Sequence, residues 1–260
     1  MKFEEVMKVL EDHSPLCFAE EWDNVGLLTG RRDKEVKTVL IAVDATDAVI
    51  DEAVKQKADL LLTHHPLIFR AIKRVNTDDF IGRRLVKLLQ HDINYVAMHT
   101  NFDVLGMADA AANRIGLTDT DVLDVTFEED GRREGIGRIG RFDAPRSLRM
   151  IAECVKEAFA LPAVRVFGSP EEEVETIALC PGSGKSVISV SIEKGANVLI
   201  TGDIDHHEGI DAVAQGLNII DAGHFGIEKI FVTYMETFLK EHLPELTVMS
   251  ATETDPFITI

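Results

Sequence analysis

The stretch Leu60-Leu61-Leu62-Thr63-His64-His65-Pro66 sets two histidines directly behind a short apolar run. Three more apolar runs end in the same way: residues 95–98 before His99, residues 198–202 before Asp203-Ile204-Asp205-His206-His207, and residues 219–223 before His224. Short apolar runs that alternate with helical patterns are typical of parallel strands. Because ligands of such folds gather beyond the carboxyl ends of the strands, the sequence predicts a metal site at that edge.

The order of elements in the first half of the chain recurs in the second half. Residues 38–43, 47–57 and 60–63 have the pattern strand, helix, strand, and residues 175–180, 185–194 and 198–201 repeat it. In this repeat Lys57-Ala58-Asp59 corresponds to Gly195-Ala196-Asn197. The pair His99…Asp103 corresponds to the pair His224…Glu228. This agreement favours an internal duplication, although βαβ units resemble one another in any case.

We therefore expect an α/β fold of two interlinked α/β units with mainly parallel sheets and the metal site in the cleft between them. The expected first domain comprises residues 1–122 with 226–260, and the second comprises residues 123–225. The polar, glycine-containing residues 128–135 suit an exposed turn or a domain crossing. Short terminal strands are expected at residues 246–248 and 257–260.

Composition and charge restrict the class of protein. The three cysteines, Cys17, Cys154 and Cys180, are far apart and odd in number, which favours a reducing cytoplasm and disfavours thiolate metal ligation. No early signal segment and no apolar stretch near the ~20 residues of a membrane span is recognisable, so no membrane association is expected. The formal net charge of -18 disfavours nucleic acid as a partner.

The histidine clusters can serve more than one ion. Adjacent His64 and His65 at a strand end are expected to point in opposing directions, which suits two ions better than one. Asp103 follows His99 by four residues and Glu228 follows His224 by four, so each carboxylate lies one helical turn from a histidine.

This mixed nitrogen and oxygen donor set suits two divalent transition-metal ions, among them Zn, Mn, Fe, Co or Ni. About five ligands shared by two ions leave open positions, which are typical of catalytic sites. His99 and His206 are candidate proton shuttles for such a site.

Several other motifs have simpler interpretations. We expect Asp44 and Asp47 to cap a helix. Trp22 is expected to pack and Asp23 to form hydrogen bonds in a loop. The turn Gly182-Ser183-Gly184 is either an anion-binding turn or a tight strand-to-helix turn, and the second is favoured.

The ordered set of motifs resembles a known family. It consists of Trp22-Asp23-Asn24-Val25-Gly26-Leu27, Thr63-His64-His65-Pro66, His99-Thr100-Asn101-Phe102-Asp103, the segment 202–207 and the segment 221–228. Together these resemble the dinuclear-metal-centre proteins of the YbgI type, often labelled GTP cyclohydrolase 1 type 2 homologues. The resemblance implies two interlinked α/β domains, a two-metal site and a toroidal hexamer. Carried over by position, the implied metal ligands are His64, His65, Asp103, His224 and Glu228, with His99 close by.

Two functions from different classes remain open at this point. The first is a metal-dependent hydrolase that acts on a nucleotide-like or phosphate-containing small molecule, because two ions can activate water and hold a phosphate or carbonyl oxygen. The second is a non-catalytic metal-binding or scaffold protein that forms a ring oligomer, since no substrate motif stands out beyond the metal ligands.

Overall fold

A computed structural model describes residues 1–258 as alternating strands and helices. The strands are β1 (Gly26–Thr29), β2 (Thr38–Ala42), β3 (Leu60–Thr63), β4 (Asn94–Ala97), β5 (Thr118–Glu129), β6 (Arg132–Ser147), β7 (Arg165–Phe167), β8 (Glu173–Ser183), β9 (Val198–Gly202), β10 (Asn218–Asp221) and β11 (Thr247–Ser250). The helices are α1 (Phe3–His13), α2 (Asp47–Lys55), α3 (Phe80–Gln90), α4 (Thr100–Phe102), α5 (Ala108–Ile115), α6 (Leu148–Ala158), α7 (Ile188–Glu193), α8 (His206–Ala214), α9 (His224–Glu228) and α10 (Ile230–His242). No helix among these residues is long and apolar enough to cross a membrane.

The chain forms two compact units, one of Met1–Phe102 with the segment that begins at Phe231, the other of Asp103–Ile230. The chain therefore changes units at 102/103 and at 230/231. Helices α5 and α9 pack against strands of the second sheet, which groups their residues with the second unit. The domain boundaries expected at 122/123 and 225/226 stay a prediction.

The first unit contains a five-stranded sheet in the order β1-β4-β3-β2-β11. The four strands β11, β2, β3 and β4 are parallel, and β1 runs antiparallel beside β4. All four residues of β3 and of β4 are buried, as the continuous apolar run at 60–62 predicts for strands covered on both faces. Of the expected terminal strands, β11 overlaps residues 246–248, residues 257–258 form none, and residues 259–260 lie outside the described part of the chain.

The second unit contains a six-stranded sheet in the order β5-β6-β8-β9-β10-β7. Only β8, β9 and β10 are parallel, whereas β5, β6 and β7 join in antiparallel pairs. The expectation of mainly parallel sheets therefore holds for the first unit, and the second sheet is mixed. The difference arises because β5 and β6 are joined by a tight hairpin, and a hairpin can only join antiparallel strands.

Both sheets share a core of the same order, which makes the internal duplication plausible. Parallel β4-β3-β2 with antiparallel β1 beside β4 corresponds to parallel β10-β9-β8 with antiparallel β7 beside β10. The carboxylate of Asp59 accepts hydrogen bonds from the backbone N–H groups of Lys37 and Thr38 at the start of β2. The amide oxygen of Asn197 likewise accepts from the backbone N–H groups of Glu175 and Thr176 in β8. Lys57 and Gly195, two residues earlier, both have positive φ.

A glycine packed against an asparagine also recurs in the two units. Gly30 follows β1 at φ +118°, and a Cβ built there would lie 2.3 Å from Oδ1 of Asn94. Gly168 follows β7 at φ +124°, and its Cβ would lie 1.8 Å from Oδ1 of Asn218. These backbone angles are nearly restricted to glycine, so each antiparallel strand depends on one glycine for its exit from the sheet.

Gly168→Ala is expected to lower the free energy of unfolding by about 3 kcal/mol or more, because strain and a steric clash add together. Gly131→Ala is the matched control, since Gly131 also has positive φ (+81°), but a Cβ built there meets no atom of residues 1–258 within 4 Å beyond its chain neighbours. The control is expected to cost about 1 kcal/mol. Urea unfolding of both variants measures the difference, and equal losses would contradict the role of the Asn218 contact.

Candidate metal centre

Three histidines of the first unit converge where two parallel strands end. β3 and β4 finish side by side, with Thr63 paired to Ala97, and the histidines follow these strands. The ring centroids of His64 and His65 lie 4.8 Å apart, and that of His99 lies 5.2 Å from the first and 5.5 Å from the second. Each histidine offers one nitrogen to a group of atoms that lie within 4.8 Å of one another, so the three residues could hold a metal ion.

The prediction that His64 and His65 point in opposing directions is therefore wrong for the rings. Strict alternation applies inside a strand, but β3 ends at Thr63 and both histidines follow it. His64 is fully buried and His65 is partly exposed.

All three rings are fixed through the same atom, Nδ1. The Nδ1 partners are the carbonyl oxygen of Met98 for His64 at 2.8 Å, Oδ1 of Asp44 for His65 at 3.0 Å, and Oδ1 of Asp23 for His99 at 2.9 Å. With Nδ1 engaged, Nε2 is the nitrogen that each ring can offer to a metal. Metal-binding histidines are commonly oriented in this way by a carboxylate or a carbonyl behind the ring.

Asp23 joins the loop before β1 to the start of α4. Its carboxylate accepts hydrogen bonds from the Thr100 backbone N–H at 3.0 Å and hydroxyl at 2.5 Å, in addition to the His99 ring. Burial alone would raise the pKa of Asp23, but the hydrogen bonds from His99 and Thr100 outweigh it and bring the pKa to about 2. The carboxylate is thus ionised near neutral pH and holds the His99 ring through Nδ1.

Asp44 has a different role from the helix cap that was expected. It contacts the His65 ring, while the hydroxyl of Thr46 caps α2 and Asp47 forms an ion pair with Arg84. The caps predicted at both aspartates are therefore wrong. Thr46 is the residue immediately before the helix, and a threonine hydroxyl there can accept from the first turn.

The second unit brings one histidine, His224, close to carboxylates. Nδ1 of His224 lies 2.8 Å from Oδ2 of Asp203, and its Nε2 lies 3.0 Å from Oε2 of Glu228. Carboxylate oxygens of Asp103 and Glu228 lie within 4.8 Å of each other. His224 and Glu228 occupy the first and last positions of α9. Their spacing of four residues therefore places both side chains on one face of the helix, as predicted.

Glycine makes room for this carboxylate. A Cβ built on Gly182, which has φ +77°, would lie 2.3 Å from Oε1 of Glu228. The segment Gly182-Ser183-Gly184 therefore allows a close approach, which favours its structural interpretation over the anion-binding one.

Asp103 begins a π-helical turn over Asp103–Met107. Such turns are rare in proteins, and those that do occur are often found at functional sites. The buried guanidinium of Arg138 donates hydrogen bonds to the carbonyl oxygen of Val104 at 3.2 Å and to both carboxylate oxygens of Asp109 at 2.6 and 2.8 Å. Arg138 thereby fixes the turn that carries Asp103, a role that no sequence motif indicated.

Strand register refines the correspondence between the two units. Leu60 pairs with Asn94 in the first sheet and Val198 pairs with Asn218 in the second. Counted from these asparagines, His99 corresponds to Gly223 and not to His224. The pairs His99…Asp103 and His224…Glu228 are therefore offset by one residue between the two units. The sequence comparison matched similar residue types, whereas strand register defines which positions correspond.

Two further residues have clear positions. His206 is the exposed first residue of α8, and none of the candidate metal clusters within residues 1–258 contains it. Its role as a proton shuttle stays a prediction. Burial, followed by the charges of Asp103 and Glu228, raises the pKa of the Cys180 thiol, so this cysteine stays protonated and is a poor metal ligand.

In metal-free protein the neutral His64 ring is expected to carry its proton on Nδ1, because a carbonyl oxygen can only accept a hydrogen bond. Ring ¹⁵N shifts measured by NMR distinguish this tautomer from the usual Nε2–H form. The exposed His91 is the control and is expected to favour Nε2–H. A proton on Nε2 of His64 would contradict the geometry.

The chain is similar to known proteins over nearly its whole length. The family model for Duf34/NIF3 (NGG1p interacting factor 3) matches residues 1–256. A "GTP cyclohydrolase 1 type 2 homolog" from Clostridium perfringens is 33% identical over 261 residues, which cover 99% of each protein.

Solved structures agree with this assignment. A Bacillus cereus protein related to NIF3 has a TM-score of 0.93 at 26% identity and covers 100% of this chain and 99% of its own. Reduced HcgD from Methanocaldococcus jannaschii has a TM-score of 0.84 at 32% identity, with 96% and 97% covered. The family predicted from the histidine motifs is confirmed, and the chain belongs to the Duf34/NIF3 family.

Proposed function

We propose that the protein is a dinuclear-metal-dependent hydrolase that acts on a nucleotide-like or phosphate-containing small molecule. The observation that carries this proposal is the set of three histidines, each fixed at Nδ1 by an oxygen acceptor. Holding three histidine rings so that one nitrogen of each lies close to the others costs conformational entropy. Metal binding is the usual reason for such an arrangement.

The proposed ligands of the two ions are His64, His65, Asp103, His224 and Glu228. The chemistry of this set supports the assignment, because imidazole nitrogens and carboxylate oxygens together suit Zn, Mn, Fe, Co or Ni. Each proposed carboxylate lies close in sequence to a point where the chain changes units, at 102/103 and at 230/231. His64 and Glu228 are both buried, and buried ionisable groups favour paired or coordinating partners.

Bound divalent ions would supply Lewis acidity toward a phosphate or carbonyl oxygen and lower the pKa of water. The side chains of the protein would then handle protons. His99 is suited to accept one, because the carboxylate of Asp23 holds the ring at Nδ1 and leaves Nε2 to exchange a proton. His206 is the second proposed shuttle, at the exposed start of α8.

The names of the relatives support a nucleotide as substrate. Several are called GTP cyclohydrolase 1 type 2 homolog, and ring opening of GTP is one hydrolysis that such a site can perform. The small-molecule substrate, the ring-shaped homohexamer and the cytoplasmic location stay predictions.

Loss of a ligand is expected to lower the number of bound ions. Wild-type protein should retain two divalent ions per chain after dialysis, and His64→Gln or Glu228→Gln should retain one or none. Elemental analysis measures the content, and circular dichroism confirms that each variant is folded. His91→Gln, at an exposed helix end, should keep both ions. Full metal content in both ligand variants would exclude these residues as ligands.

Metal-loaded protein is expected to hydrolyse at least one compound in a panel of nucleoside phosphates, phosphoesters and cyclic amides. His99→Gln should then lower kcat by about 100-fold or more with its metal retained, since it removes a proton-transfer group. The matched control is again His91→Gln, which should keep the wild-type kcat. Absence of turnover across the panel by fully loaded protein would favour the alternative, a non-catalytic metal-binding or scaffold protein.

A further inference from the structure

Two large aromatic side chains are exposed beside the histidine cluster of the first unit. Trp22 is 58% exposed and Phe69 is 50% exposed. Their ring centroids lie 5.7 Å apart, and the His99 ring lies 5.9 Å from Trp22 and 6.4 Å from Phe69. Trp22 thus packs against other rings, as expected, but it does so at the surface of the protein. Aromatic side chains dominate cores and interfaces, and neighbouring exposed ones indicate a binding surface.

The loops that carry these aromatic residues are fixed by hydrogen bonds. The side chain of Asn24 donates to the carbonyl oxygen of Ile68 at 2.7 Å, which joins the Trp22 loop to the Phe69 loop. The backbone N–H of Glu20 donates to the hydroxyl of Thr100 at 2.9 Å, and Asp23 binds His99 as described above. Both aromatic rings are thus attached to a backbone positioned relative to the histidines, which lowers the entropy lost when a ligand binds.

Three positively charged side chains follow Phe69 in the sequence. Arg70 is adjacent to Phe69, and Lys73 and Arg74 follow in the same exposed segment. Within residues 1–258, none of these three cations forms an ion pair or hydrogen bond. In a chain with a net charge of -18, three unpaired cations within five residues are a local exception, and they suit an anionic ligand.

We infer that Trp22 and Phe69 form a stacking surface for the base of a purine nucleotide, whose phosphates are bound by Arg70, Lys73 and Arg74. This inference rests on the proposed function, since it names the substrate class of that same site. A planar two-ring base matches an aromatic surface, because every base has a π-face on which such side chains stack. Arginine and lysine supply the charged hydrogen bonds that phosphate oxygens accept.

The sequence supplies a built-in probe, because Trp22 is the only tryptophan. Fluorescence of the full-length protein, corrected for absorption by the ligand, is titrated with GTP, guanosine and inorganic pyrophosphate. GTP and guanosine are expected to quench Trp22, with GTP binding more tightly, and pyrophosphate alone should leave the fluorescence largely unchanged. Phe69→Leu is expected to weaken the binding of both GTP and guanosine about tenfold.

The basic residues are tested separately. Arg70→Ala/Lys73→Ala/Arg74→Ala is expected to weaken GTP about tenfold or more while leaving guanosine within about twofold, because only the phosphates lose partners. The matched control, Lys8→Ala/Lys37→Ala/Lys55→Ala, removes the same charge from other exposed positions. Equal weakening by both triple variants would reduce the effect to net charge and overturn the phosphate assignment. Tighter binding of a single-stranded oligonucleotide than of GTP would also overturn the inference.

The titration separates this inference from the proposed hydrolase. Quenching by GTP with the expected variant pattern, in a protein that hydrolyses nothing, would support the nucleotide surface and reject the enzyme. Turnover of some other compound, with no fluorescence response to any purine nucleotide, would support the enzyme and reject the surface.

Discussion

The hydrogen bond at Nδ1 is the interaction on which the candidate centre depends. It fixes the ring plane of each histidine and selects the nitrogen that faces the cluster, so the geometry exists before any ligand arrives. The acceptors Asp23, Asp44 and Met98 lie in three loops, located before β1, after β2 and after β4. The centre therefore relies on the strand directions of the first sheet, because parallel β2 and β4 end at the edge where antiparallel β1 begins.

The two units show how one topology can carry different chemistry. Both place polar side chains beyond parallel strands, yet the first supplies three histidines and the second supplies one histidine with two carboxylates. The turns before β3 and β9 both require a positive φ, at Lys57 in one unit and Gly195 in the other. Shared backbone with different side chains is the pattern expected when copies of a unit diverge.

Local patterns in the sequence predict much of this structure, and tertiary contacts explain what they miss. The runs at 60–63 and 198–202 identify their strands because continuous apolar residues signal burial on both faces. The convergence of His64 with His65 depends on where β3 ends, and the role of the buried Arg138 depends on partners that are distant in sequence. The local periodicity of the sequence encodes neither. The exposure of Trp22 contradicts the general preference of large aromatic residues for burial, and such exceptions tend to occur at binding surfaces.

The short antiparallel strands beside β4 and β10 also affect how the protein behaves in a crowded solution. A free sheet edge offers unpaired N–H and C=O groups on which another chain can assemble. The edge strands β1, β11 and β7 have only four, four and three residues, so they expose few such groups. The remaining edge, β5, has twelve residues, but acidic side chains and two irregularities in register interrupt it. The glycine that ends each short antiparallel strand thereby also limits aggregation through the sheet edges.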